Sequence, residues 1–429
     1  EYESRIANLN TTPAQCTTEY FSWRHLTDLS EKVPDLVEQF GPITASFMGD
    51  YVAFGTDGGV VVVGDYLGRT KAVLRSQATA TYGSVSALAF SEDLLAIVAG
   101  FSQGHVVVWD WAKGTTVSVS RPAQPTDSPE TIGHPSGTAI ASVGFIGKSK
   151  HRYFSSSASG HVLYHHIVRR IITTMSTVWL AAPESGPSIL FEVASLPCGT
   201  YECPLDDVGL VAVLTSTHVT VLKTHHGVEQ QFRLSYQQQQ QSNVAGILKH
   251  KFSKRPYAGS IAWLPALKHK RPATATDPAE SEYALPMLAF SWGSDIHVLS
   301  IQPDYEVAAN GEAMNSMLSR VRFEREAEWT AIEDVALCRW IDAETLVYMT
   351  QSQRIFVLEI EQLQETEISK SPPSYIAGQP WTTLATGIEA EPSYAQAMSV
   401  YKRRVFALCG SSAVYTGRLL TWTERLALL

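Results

Sequence analysis

Cysteine is scarce and scattered: Cys16, Cys198, Cys203, Cys338 and Cys409 are odd in number and far apart in a chain of 429 residues. A small secreted domain stapled by disulfides is therefore excluded, and a reducing, cytosolic setting is expected. Charge is thin as well, at 17% against the roughly 25% of an average soluble domain. The 42 acidic and 33 basic residues leave a net charge of −9, which gives no global field for nucleic acid or anionic lipid. No apolar run approaches the ~20 residues that span a bilayer, and the opening EYESRIANLN has no signal-peptide core. Without a secretory route, Asn10-Thr11-Thr12 reads as a chance match to the glycosylation pattern. No GxGxxG or GxxxxGK(S/T) pattern opens a helix, so nucleotide binding has no support and no cofactor is expected.

Apolar residues, by contrast, are plentiful at 45%, enough for a large core of buried strands. They recur in a repeat. Gly55-Thr-Asp-Gly-Gly59 leads into Val60-Val-Val-Val63, Gly100-Phe-Ser-Gln-Gly104 into His105-Val-Val-Val-Trp109, and Ser156-Ser-Ala-Ser-Gly160 into His161-Val-Leu-Tyr164. Weaker copies pair Leu210–Leu214 with His218–Leu222, Met287–Phe290 with Ile296–Ser300, Leu346–Met349 with Arg354–Leu358, and Val405–Leu408 with Ala413–Thr416. The second strands of these seven hairpins begin at intervals of 45, 56, 57, 78, 58 and 59 residues. A four-stranded blade takes ~40–50 residues, so each interval is one blade plus loop insertions.

An apolar run precedes each hairpin and supplies an innermost strand: Ile43–Phe47, Val85–Phe90, Ile140–Phe145, Ile189–Val193, Ile261–Trp263, Val335–Trp340 and Ala395–Val400. Thr70–Leu74, Thr115–Val119 and Val228–Phe232 supply outer strands. The expected fold is all-β, a seven-bladed WD40-like β-propeller over residues 41–423. Residues 121–135, 236–256, 268–282 and 369–392, rich in Pro, Gln, Ser or Ala, are expected to be mobile insertions. The first forty residues differ: Leu26, Leu29, Val33, Leu36, Val37 and Phe40 fall at helical spacing, broken by Pro34, so residues 1–40 are expected to form an arm with short helices. The chain opens at Glu1 without methionine, and residues 424–429 are expected to begin a region that continues past it.

Catalytic patterns are few. Gly100-Phe-Ser102-Gln-Gly104 matches a nucleophile elbow, but a strand follows where a helix is required, so Ser102 is expected in a hairpin turn. Cys198 and Cys203 are half a zinc site at most, with His225 and His226 as distant candidates. His165-His166, neighbours on a strand, point to opposite sides and are expected at the surface or half buried. Asp206-Asp207 and the pair Glu324 and Glu326 suit solvated loops and strand faces. What remains is surface. Tyr20, Phe21, Trp23 and Leu26 cluster ahead of the helical stretch, and Tyr375, Ile376 and Trp381 sit in a Pro-rich loop; aromatics of this kind anchor interfaces, and the first cluster is the candidate partner-binding site.

Phe21-Ser-Trp23, Tyr51-Val-Ala-Phe-Gly55, Gly59-Val-Val-Val-Val63, Gly83-Ser-Val-Ser-Ala-Leu-Ala-Phe90, Ala99–Asp110 and His134-Pro-Ser-Gly-Thr-Ala-Ile140, in that order, resemble the family of vacuolar protein sorting-associated protein eight, Rab-binding subunits of the CORVET tethering complex. The clear match covers residues 20–170, blade rhythm carries the rest, and the glutamine run Gln237–Gln241 is similar to fungal-type members. The resemblance implies a non-catalytic module on the cytosolic face of early endosomes, recruited by a GTP-loaded early-endosomal Rab GTPase and by other tethering-complex subunits. Membrane contact would then be indirect, through the Rab. It also implies an α-solenoid and a RING-type region beyond this chain, and it assigns no contact residue. Two rival readings stay open: a scaffold propeller of a coat or tether that binds no GTPase, and an enzyme with acidic residues converging on its channel.

Overall fold

The computed structural model describes residues 21–25, 42–65, 67–76, 79–124, 131–169, 173–182, 188–199, 203–236, 258–270, 281–304, 320–351, 355–360, 364–367, 395–401, 404–409 and 413–419. The chain divides into two compact units, Glu1–Ala80 with Arg339–Leu429, and Thr81–Cys338. Strands dominate both.

The first unit opens with β1 (Phe21–His25), then β2 (Pro42–Met48), β3 (Tyr51–Thr56), β4 (Val60–Asp65) and β5 (Thr70–Arg75), the last four forming one antiparallel meander. The second unit holds four sheets of the same build. They are β6 (Val85–Phe90) to β9 (Thr115–Ser120) through β7 (Ala96–Phe101) and β8 (Val106–Asp110), and β10 (Ile140–Ile146) to β13 (Thr173–Ala181) through β11 (Ser149–Ser157) and β12 (Val162–Arg169). Next come β14 (Leu190–Ser195), β15 (Leu210–Thr215), β16 (His218–Lys223) and β17 (Glu229–Ser235), then β18 (Ile261–Leu264), β21 (Met287–Trp292), β22 (Asp295–Asp304) and β23 (Arg320–Thr330). Between β18 and β21 an extra hairpin, β19 (Leu267–Lys270) with β20 (Ser281–Ala284), takes up the ends of the segment expected to be a mobile insertion.

The division between the units falls within β24 (Val335–Trp340). In the first unit β25 (Thr345–Thr350), β26 (Ile355–Glu359) and β27 (Gln364–Glu367) pair in order, and β28 (Ala395–Tyr401), β29 (Arg404–Cys409) and β30 (Ala413–Leu419) follow. The sheet β28–β29–β30 takes its fourth strand from the other end of the chain: β1 runs antiparallel to β30, with Phe21 opposite Leu419 and Trp23 opposite Gly417. All seven hairpins read from the sequence pair as antiparallel strands.

Position within a sheet explains composition. Second and third strands, such as β4, β7 and β15, are buried along their whole length and read as unbroken apolar runs. Outer strands such as β5 and β9 expose at least half of their residues and carry Thr, Ser and Lys. The hairpin turns need backbone that most residues avoid. Gly104 sits at φ 88°, donates its N–H to Phe101 O at 3.1 Å, and would put a Cβ 2.9 Å from Pro135 O.

In the second unit the innermost strands β6, β10, β14 and β18 stand side by side in that order. Polar side chains tie each to the next. Ser86 Oγ donates to Ile140 O at 2.7 Å, Ser195 Oγ to Phe145 O at 2.6 Å, and Trp263 Nε1 to Ala194 O at 2.9 Å. Glu192 of β14 accepts from Ser260 Oγ and from Ile261 N, both at 2.7 Å. Apolar clusters fill the gaps, with Val108, Ile140 and Tyr153 in one, Phe154, Tyr164 and Val213 in the next, and Leu214, Phe290 and Trp292 in the third.

Candidate functional site

Side chains along β11 and β12 alternate faces. Tyr153 and Ile167 belong to the core shared with β6–β9, Phe154, Val162 and Tyr164 to the core shared with β14–β17. That alternation buries Ser155 and His165 on the first face, where they meet a third buried side chain, His134, from the loop before β10. Ser155 Oγ lies 2.7 Å from His134 Nε2 and 2.7 Å from His165 Nε2, and His165 Nδ1 lies 3.1 Å from Thr177 Oγ1 on β13. Tyr153 stacks on the His165 ring, centroids 4.6 Å apart. The expectation of a surface or half-buried histidine is thus corrected for His165, which is fully buried; His166, on the other face, is partly exposed.

One proton arrangement satisfies this chain. His134 Nδ1 is buried without a hydrogen-bond partner among the described residues, so it is best left unprotonated, and His134 carries its proton on Nε2 and donates it to Ser155. Ser155 then donates to His165 Nε2, and His165 Nδ1–H donates to Thr177. Burial holds both imidazoles down to about 3, with His161 adding a smaller push on His134 and His134 on His165. Both are neutral, hydrogen-bonded and closed to solvent, which makes the chain a clamp fastening a loop to three strands.

The catalytic-looking patterns resolve the same way. Ser102 lies in the β7–β8 turn, as expected, where its Oγ accepts from Ser84 N at 3.1 Å. Cys198 donates its backbone N–H to Glu92, while burial first and the Glu92 carboxylate next push its thiol up, away from the thiolate a metal needs. Among the described residues no three His, Cys, Asp or Glu side chains are placed to hold a metal ion. His225 and His226 stack on each other, centroids 4.1 Å apart, and His225 Nδ1 donates to Asp207 O. Asp206, in the turn Pro204–Asp207, lies 3.9 Å from Lys148 Nζ, and Glu324 pairs with Arg322 at 2.9 Å.

Of the candidate partner-binding residues, Phe21 and Trp23 lie on β1. Tyr20 and Leu26 fall outside the described residues, as do Tyr375, Ile376, Trp381 and the expected helices of residues 26–40. Sequence reasoning missed Glu192 and Glu92, single carboxylates whose partners lie 68 and 106 residues away along the chain.

Compared with known proteins, residues 19–418 match the Vps8 beta-propeller family. This chain belongs to the Vps8 β-propeller family. Two curated relatives, each named vacuolar protein sorting-associated protein 8 homolog, are 22% identical: the mouse protein over 397 residues and the human protein over 357. These alignments cover 89% and 80% of this chain but 24% and 21% of the relatives, so the chain spans about a quarter of their length. Among solved structures, the β-propeller domain of Cps50 (Swd1) from Myceliophteria thermophila aligns with a TM-score of 0.53 at 10% identity, covering 90% of this chain and 98% of that one. That likeness bears on fold alone, and the fold is a β-propeller.

The motifs that carry the Vps8 resemblance now have physical roles. His134, first residue of HPSGTAI, is the outer member of the imidazole clamp, and Ile140, its last, opens β10 and packs over Gly100 of β7. Among the described residues of this Vps8 propeller, no helix is long and apolar enough to cross a membrane.

Proposed function

We propose that this Vps8 propeller is a non-catalytic docking module of an endosomal vesicle-tethering complex. It binds a GTP-loaded early-endosomal Rab GTPase together with other tether subunits, and meets the membrane only through the Rab. The match to the Vps8 family over residues 19–418 is the observation that carries this reading. The buried clamp and the hydrogen bonds between innermost strands support it: they give the second unit a rigid frame, and its catalytic-looking residues are spent on packing. A GTPase whose switch segments order only with GTP would turn docking on such a frame into a nucleotide-gated address.

The test is a pull-down of the chain against a panel of Rab GTPases, each loaded with a GTP analogue or with GDP. Selective capture of the GTP form of an early-endosomal Rab is expected. Failure of the folded protein with every member would overturn the Rab reading in favour of a scaffold propeller.

A further inference from the structure

Along β11 and β12 every second side chain turns to the sheet β14–β17, and on that face Phe154 and Tyr164 belong to the core the two sheets share. Two residues beyond them on the same face stand Arg152 and His166, directly opposite each other across the strand pair. The His166 ring stacks on Tyr164, centroids 6.4 Å apart. The facing sheet supplies the β16–β17 turn: Val228 packs against the shared core, and just ahead of it His225 and His226 stack on each other. Arg152, His166 and His225 are half-buried, and His226 is exposed.

Charge joins the two sides. Burial first, then Arg152 and then His225, hold the His166 imidazole below its usual range, and no described carboxylate opposes that push. The acids of the flanking segments are turned elsewhere. Asp206 lies 3.9 Å from Lys148 and accepts from the Cys203 N–H at 3.4 Å, while Glu229 pairs with Lys223 at 2.5 Å. Lys223 shares its face of β16 with Val221, which packs toward the sheet β18–β23, so that pair lies on the far side. Asp207 is exposed and meets His225 through its main-chain oxygen, which accepts from Nδ1. Lys150 turns away to Asp93 of the β6–β7 turn, 4.0 Å distant. β13 adds only neutral groups, with Thr174 opposite Val168 and Ser176 opposite His166.

We propose that Arg152, His166, His225 and His226 form a docking site for a short acidic segment of a partner polypeptide, a run of aspartate and glutamate. A guanidinium takes a carboxylate in a bidentate pair, and the imidazoles add charge as they take up protons, so the site tightens as pH falls. One basic patch on a chain of net charge −9 suits a short acidic stretch; a nucleic-acid duplex or an anionic bilayer would set its uniform charge against the rest of the surface. This inference goes beyond the Rab reading, and its test contains no GTPase.

The probe is a fluorescent peptide, Asp-Glu-Asp-Glu between Gly-Ser flanks, titrated into the full chain at about pH 7.5 and about pH 6 and followed by anisotropy. Binding is expected to be about threefold tighter or more at the lower pH, and an Asn-Gln-Asn-Gln counterpart should not bind. Arg152→Gln should weaken binding about tenfold at both pH values, whereas Lys113→Gln, an equal loss of charge in the β8–β9 turn, should not. The triple variant His166→Gln, His225→Gln, His226→Asn should keep most of the affinity at the higher pH and lose the gain at the lower; Asn tolerates the φ of 59° at position 226. Bound peptide should slow hydrogen exchange in β12 and the β16–β17 turn. Equal binding of the amide counterpart, equal effects of Arg152→Gln and Lys113→Gln, a gain at low pH that survives the triple variant, protection elsewhere, or no binding would each overturn the proposal. Stronger capture of duplex DNA or of phosphatidylserine vesicles than of the peptide would overturn it in favour of a nucleic acid or a membrane.

Discussion

Ser155 stands between two buried imidazoles, its Oγ 2.7 Å from Nε2 of His134 and 2.7 Å from Nε2 of His165. Among the described residues no other side chain joins them. Ser155→Ala leaves one buried N–H and one buried lone pair without a partner, each worth about 1–3 kcal/mol. The variant should show a lower urea midpoint at unchanged slope, and an unchanged midpoint would mean that the serine is not a structural link.

The same pair makes stability depend on pH. In the fold His134 and His165 sit at about 3, while in the unfolded chain they titrate near 6.5. Above about pH 6.5 both states are neutral and the contribution of the pair is complete. Below that, the unfolded chain takes up protons that the fold refuses, and stability falls by up to about 1.4 kcal/mol per pH unit for each histidine until about pH 3. His297, held to about 4 mainly by burial, adds the same trend down to about pH 4. Urea unfolding at pH 7 and pH 5 should show the loss, and His165→Phe should make it shallower. An equal slope in that variant would discount the imidazole.

These residues show how far the sequence was legible. The apolar runs of the second and third strands exist because those strands are buried on both faces, so a reader of hydrophobic pattern finds them, and all seven hairpins with them. Outer strands have no such signature. β23 is rich in charges, β27 is Gln-Glu-Thr-Glu, and β13 is mostly threonine and other short side chains; among the described residues each pairs on one side only, and the apolar pattern marks none of them. β1 joins β30 from the far end of the chain, a pairing that no local pattern encodes. The clamp was half visible: His134 stood in the family motif and His165 beside His166, but only the fold brings Ser155 between them.

Two glycines separate lack of room from backbone strain. A Cβ on Gly100 would lie 2.3 Å from Cγ2 of Ile140, where β10 packs on β7. Gly114, in the β8–β9 turn, has nothing within 4 Å but stands at φ 66°. Gly100→Ala should cost about 1–3 kcal/mol through overpacking and disturb the near-ultraviolet spectrum of the surrounding aromatics. Gly114→Ala should cost about 1–2 kcal/mol through backbone strain and leave that spectrum alone. Equal spectra for the two variants would discard the distinction.

Trp23 is the residue through which the candidate interface can be tried. It lies on β1 opposite Gly417 of β30, so its backbone is held by pairing that a change of side chain leaves in place. Trp23→Ala should therefore keep the strand and remove only what the indole contributes. If the aromatic cluster of the first arm touches the Rab, loss of an anchor of this size should weaken binding of the GTP form by about 2 kcal/mol, some thirtyfold. Titration of the folded variant against the GTP-loaded Rab reads this directly. Wild-type affinity would place the contact elsewhere on the propeller and leave β1 the role its pairing already gives it, the strand that joins the beginning of the chain to its last sheet.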